Sequence, residues 1–207
     1  MNFSTKTKKM KTFELKGNLR ENLGKKAAKA ERNSESVPCV LYGGKENVHF
    51  TATNSDLRKL IYTPEVYLVN LDVNGKQALA IMKDLQFHPL TDKVLHIDFL
   101  QVHENKPVVI EIPVKLTGLA EGVKAGGKLS LEMRKLKVKA LYKQIPEFIS
   151  VDVTPLGLGK SIQVGAVQEL LGKELELLNA KNAVVAQVKL TRAARAAAAT
   201  AATAAKK

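Results

Sequence analysis

The chain has no tryptophan, one cysteine and only ten other aromatic residues, six Phe and four Tyr, among 207. With so few rings, stacking on a long run of unpaired bases is not its expected binding mode. A single thiol, Cys39, excludes an intramolecular disulfide framework and leaves no cysteine cluster for a zinc knuckle. No apolar run approaches the roughly 18 residues a membrane span needs. The N-terminal stretch MNFSTKTKKMK is basic but lacks the apolar segment of a secretory signal. An organelle presequence would share that basic, Ser/Thr-bearing composition, and Met10 is an alternative start.

Negative charge is also in short supply. The chain carries 33 Lys and Arg against 20 Asp and Glu, a formal charge of +13. The excess is not spread evenly. Residues 1–45 hold 11 cations and 4 acids, and residues 189–207 hold 5 cations and no acid. The stretch between them, 46–188, is within one charge of neutral. A solvated, evenly charged surface does not explain that asymmetry; a polyanionic partner does. Apolar residues make up 45% of the chain, enough for a buried core. Residues 191–207 form an Ala-rich basic tail with no apolar stripe, expected to be disordered in isolation, as residues 1–10 are expected to be a flexible extension.

Period-two alternation dominates residues 11–102. Strands are expected at Thr12–Gly17, Val37–Tyr42, Val48–Thr53, Val66–Val73, Gln77–Phe87 and Val94–Val102. Short helices are expected at Lys25–Ala30 and Asp56–Tyr62. Asn74-Gly75 between two β-rich runs marks a hairpin whose turn residues need positive φ. The expected fold is therefore mainly β: a six-stranded antiparallel barrel over 11–102, then a second β-rich domain over 103–190. The polar stretch His103–Pro107 marks the boundary. Within the second domain the run Lys128–Tyr142 changes phase at Arg134–Lys135, which predicts a bulge or a broken pair. Ser161–Leu171 reads as loop or short helix.

Gly157–Ser161 (GLGKS) mimics part of a phosphate-binding loop. The position five residues before Gly159 is Thr154, where that motif needs glycine, and no helical pattern follows. A Gly-rich surface turn is the better reading. His96 and Asp98 fall on one face of a strand, where they could serve catalysis, a metal, a ligand or only each other. No nucleophile motif or third metal ligand accompanies them. Lys25 and Lys29 share a helical face if that stretch is helical, and with Lys26, Arg20 and Arg32 form a basic set suited to phosphates. Tyr42 stands at a strand end before Gly43-Gly44, either as an ordinary strand-to-turn junction or as a contact for a closely approaching ligand.

Two segments, LRENLGKKAAKAERNSESVPCVLYGGKE and LQFHPLTDKVLHIDFLQV, with the spacing between them, closely resemble the bacterial large-subunit ribosomal protein L-twenty-five family. The likeness spans roughly residues 10–190 and is to the two-domain form, which includes the general stress protein CTC. It implies a structural, non-catalytic protein of the cytoplasmic ribosome that binds 5S rRNA through the N-terminal barrel. It places the family's RNA contacts on Arg20, Lys25, Tyr42, Gly43, His88, His96 and Asp98; Lys26, Lys29 and Arg32 join them as phosphate contacts from the charge pattern, Lys26 or Lys29 standing in where a second adjacent basic residue is missing. The family carries two adjacent basic residues before the VP strand; here Arg32 is followed by Asn33. The expected partners are 5S rRNA, other large-subunit proteins and 23S rRNA near the second domain, with no membrane, cofactor, metal or small-molecule substrate. Two rivals stand beside this reading. One is an enzyme acting on RNA or nucleotides through His96 and Asp98. The other is a nonspecific polyanion or membrane-surface binder led by the tail.

Overall fold

The computed structural model describes residues 10–44, 46–172 and 175–191. The expected basic extension before Met10 and the Ala-rich tail beyond Thr191 lie outside them. The described chain is mainly β, in two compact units.

The first unit is a closed six-stranded barrel. In chain order it comprises β1 (Lys11–Leu19), α1 (Lys25–Asn33), β2 (Ser36–Tyr42), β3 (Val48–Thr53), α2 (Asn54–Ile61), β4 (Tyr67–Val73), β5 (Lys76–Phe87) and β6 (Val94–Gln101). The strands follow one another around the barrel as β1-β3-β2-β6-β5-β4. Four pairings are antiparallel, and β1/β4 and β2/β6 are parallel, so the expected antiparallel barrel is a predominantly antiparallel one with two parallel seams. Strands joined by short turns must run antiparallel. Those two pairs join strands distant in sequence, whose direction no turn fixes.

Alternation places one face of every strand inside. Leu15, Cys39, Leu41, Phe50, Val69, Leu71, Ile97 and Phe99 share one core, which α2 completes with Leu57 and Leu60. Burying each of those leucines contributes about 1.5–3 kcal/mol before entropy is counted. Gly17 is required by close approach: a Cβ there would lie 2.5 Å from the Phe50 ring. The expected hairpin is present, with Asn74 at φ 50° and Gly75 at φ 85°, and Asp72 Oδ1 accepts the Gly75 amide at 2.9 Å. The same unit takes in Leu141–Glu147, a strap synthesised much later in the chain. Its Glu147 is only 2% exposed, and Lys11 Nζ reaches both Glu147 and Glu65 at 2.7 Å.

Among the described residues the second unit contains Glu111–Ala140 and those from Phe148 to Thr191. Here β7 (Val108–Thr117), α3 (Glu121–Lys124), β8 (Lys128–Leu131), β9 (Lys135–Ala140), β10 (Ile149–Asp152), β11 (Ser161–Gln163), α4 (Val164–Leu171), β12 (Glu176–Leu177) and β13 (Val184–Lys189) follow in order. They form a four-stranded sheet, β10-β7-β9-β12, and a three-stranded sheet, β11-β13-β8. The phase change at Arg134–Lys135 is a break: β8 and β9 belong to different sheets. Val185 carbonyl receives both the Glu132 and Met133 amides at that break. The Gly157–Ser161 segment is a turn entering β11, and Gly122 packs on its backbone at Gly157–Leu158.

Candidate nucleic-acid interface

Strand β6 builds the centre of the candidate surface. Its inward residues, Ile97 and Phe99, are fully buried, so His96, Asp98 and Leu100 must face outward. His96 Nδ1 donates to Asp98 Oδ1 at 2.8 Å, and both side chains are about three-tenths exposed. That bond occupies Nδ1, and Nε2 has no partner among the described residues. The carboxylate keeps Oδ2 as an acceptor.

Neighbouring strands extend the pair into a patch. On β5, Gln86 stands opposite His96 and Asp84 opposite Asp98. On β2, Val40 lies beside Asp98 and Tyr42 beside Leu100. Burial, and then the carboxylates of Asp98 and Asp84, push the Tyr42 phenol above its ordinary range, so it remains a hydrogen-bond donor. Gly43 follows at φ 95°, where a Cβ would meet Leu100 at 2.8 Å. His103 Nε2 donates to the Gly43 carbonyl at 3.0 Å and pins that turn.

Helix α1 carries the cations. Gly24 opens it at φ 131°, and Ser34 closes it by donating its amide to the Ala30 and Glu31 carbonyls. Lys25, Lys26, Lys29 and Arg32 are exposed, whereas Ala27 and Ala28 are half-buried. The first turn holds two lysines and no acid, the unfavourable sign for a helix N-terminus. A partner that supplies negative charge there would reverse that penalty. Arg32 Nε donates to the Leu95 carbonyl at 3.0 Å, tying the end of α1 to the residue before His96.

His88 sits in the turn from β5 to β6. Its Nδ1 accepts the Leu90 and Thr91 amides at 3.3 Å each, leaving Nε2–H as a donor. Arg20 differs from the other expected contacts. Its side chain is only 8% exposed, and its Nε donates to Glu31 Oε1 at 2.8 Å.

The structure thus brings Tyr42, Gly43, His96 and Asp98 together, with Arg32 holding α1 beside them. Asp84 and Gln86 were not anticipated. A bulge between Met82 and Asp84 shifts the phase of β5, and Ala80 and Ile81 are both buried, so alternation alone does not reveal their face. Among the described residues no three His, Cys, Asp or Glu side chains converge as a metal site. Burial pushes the Cys39 thiol up to about 12, so it is a poor nucleophile. No helix among the described residues is long and apolar enough to cross a membrane.

Two family models match the chain: the Ribosomal L25p family over residues 15–99, and the ribosomal protein TL5 C-terminal domain over residues 107–192. The chain is 62% identical over 183 residues to large ribosomal subunit protein bL25 of Porphyromonas gingivalis, covering 87% of this chain and 94% of the relative. It is 60% identical over 182 residues to the protein of that name from Azobacteroides pseudotrichonymphae, covering 87% and 95%. The Bacteroides fragilis protein of that name is 58% identical over 186 residues, covering 87% and 93%. With both halves matched in order by the two models, and whole-length relatives near 60% identity, the chain belongs to the bL25 family of large ribosomal subunit proteins.

Proposed function

We propose that this structural, non-enzymatic ribosomal protein binds 5S rRNA through the outer face of its barrel, within residues 11–102. The observation that carries the reading is the His96–Asp98 pair, facing outward beside Tyr42 and flanked by a tethered helix of exposed cations. A-form RNA presents phosphates, 2′-hydroxyls and the edges of distorted loops rather than an open major groove. Lys25, Lys26 and Lys29, with the free end of the Arg32 guanidinium, suit phosphates. Tyr42 and His88 supply donors for ribose or base oxygens. Asp98 is costly beside phosphate unless it accepts from a base amine or fixes His96, and it does the second already. Gly43 lets backbone approach without a side chain in the way.

Residues 103–190 carry 13 Lys and Arg against 9 Asp and Glu, and we assign the second β-rich unit that most of them build to contacts with other large-subunit proteins or 23S rRNA. The basic tail at 191–207 is accessory in this reading.

The test uses the full chain. Its affinity for 5S rRNA and for an unrelated RNA duplex of equal length is measured over a range of KCl concentrations. Tighter, salt-sensitive binding to 5S rRNA is expected, as counterion release requires. Equal affinity for the two RNAs overturns the proposal. Deleting residues 191–207 should leave the 5S preference intact; its loss would hand the binding to the tail.

A further inference from the structure

We infer that Arg20 is a positioning residue: paired with Glu31, it fixes α1 against the barrel so that the lysines of α1 and the His96–Asp98 pair form one preset surface. This rests on the reading of that surface as the RNA face. It departs from the direct phosphate contact that the family resemblance places on Arg20.

Four observations carry it. The Arg20 side chain is 8% exposed, and its Nε is already committed to Glu31 across eleven positions of sequence. Arg20 leaves β1 with its amide bonded to the His49 carbonyl at 2.9 Å, so the backbone beneath it is part of the barrel ladder. Helix α1 has no fully buried side chain, so packing alone holds it weakly. Its described polar ties to the barrel unit are Arg20–Glu31 in the body of the helix and Arg32 to the Leu95 carbonyl at its end. Finally, the Arg20 ion pair is end-on rather than forked. Arg20 Nη2 and Glu31 Oε2 are both buried without a hydrogen-bond partner. A pair that leaves two polar atoms unsatisfied is a poor source of stability, and fixing one arrangement is the better-attested use of such pairs. Freeing the guanidinium for a phosphate would strand the Glu31 carboxylate against the barrel, next to an incoming polyanion.

Electrostatics and positioning give opposite signs for one substitution. Glu31→Gln removes a negative charge near the RNA. If Arg20 were a direct contact, that change would tighten 5S rRNA binding or leave it unchanged. If Arg20 positions α1, Glu31→Gln weakens binding by about tenfold, the scale of one charge-assisted hydrogen bond. It also speeds amide hydrogen exchange over Lys25–Asn33 while the barrel strands stay protected. Arg20→Lys and Glu31→Asp keep every charge but misplace the contact, and should show the same loss. The double variant Arg20→Gln/Glu31→Gln should be no weaker than either single change. Binding to Glu31→Gln as tight as wild type, with unchanged exchange in α1, overturns the inference, as does wild-type binding by Glu31→Asp and Arg20→Lys together. Failure of the 5S reading itself looks different: the wild-type chain would show no preference for 5S rRNA, whatever these variants do.

Discussion

His96 Nδ1 and Asp98 Oδ1 stand 2.8 Å apart on the outer face of β6, two residues along the strand from one another. The carboxylate therefore engages one imidazole nitrogen, and with Asp84 opposite it brings acceptors into a surface flanked by the cations of α1. Phosphate contacts position a nucleic acid without reading it, whereas base-edge contacts discriminate.

Those roles separate by substitution. Asp98→Ala should erode the preference for 5S rRNA over unrelated RNA by about 1–3 kcal/mol. Lys29→Ala should weaken binding to all RNAs alike and reduce the salt slope by about one. Competition binding at several salt concentrations distinguishes them, and equal losses of specificity in both variants would reject the assignment.

Cys39 should be chemically silent in the folded protein. Its thiol is pushed up to about 12 by burial, with Asp98 adding and Arg20 opposing. At pH 8 iodoacetamide should leave the native chain unmodified and label it fully in concentrated urea, as read by mass. Rapid labelling of the native chain would mean that the barrel opens between β2 and β3.

Glu132 gives the second domain an acid-sensitive contact. Lys189, Gln187 and Ser130 surround its carboxylate and lower it to about 2 from an ordinary 4.5. A lowered native value means that the unfolded chain binds the proton more readily. The stabilisation is therefore complete above pH 4.5 and fades as pH falls towards 2. Glu132→Gln should make the second domain's urea midpoint less sensitive to pH across that interval, with little change in slope elsewhere. An unaltered pH profile would show that the contact contributes nothing.

Gly17→Ala should destabilise the barrel by about 1–3 kcal/mol, the usual cost of overfilling a packed core. The added methyl would press on Phe50, which is fully buried and itself packs against Phe99 at a 5.7 Å ring separation. Thermal melting of the variant checks this; an unchanged melting temperature would mean that Phe50 has room to turn.

Local features were legible in the sequence because their causes are local. Alternation along β6 identified which residues face outward, and Asn74-Gly75 announced its turn. The resemblance carried most of the candidate site, since its motifs span the residues that the fold gathers. What alternation could not carry is pairing between distant strands. The parallel β2/β6 contact brings Tyr42 beside Leu100, and nothing within either strand encodes that direction. Asp84 and Gln86 were hidden by the bulge at Lys83. Arg20 looked like one more surface cation, because its partner lies across a loop and on a helix. Glu147 and the strap were invisible for the same reason: a buried acid opposite Lys11 exists only once residues 136 positions apart have met.

The strap also orders events in time. As the ribosome makes this chain, β1 through β6 emerge first, but the barrel unit cannot be finished until Leu141–Glu147 has followed Glu111–Ala140 out of the exit tunnel. At about 5–20 residues per second, that delay lasts on the order of seconds. During it Lys11 has Glu65 for a partner but not Glu147, and the first six strands wait on a segment that part of the second unit precedes in the chain.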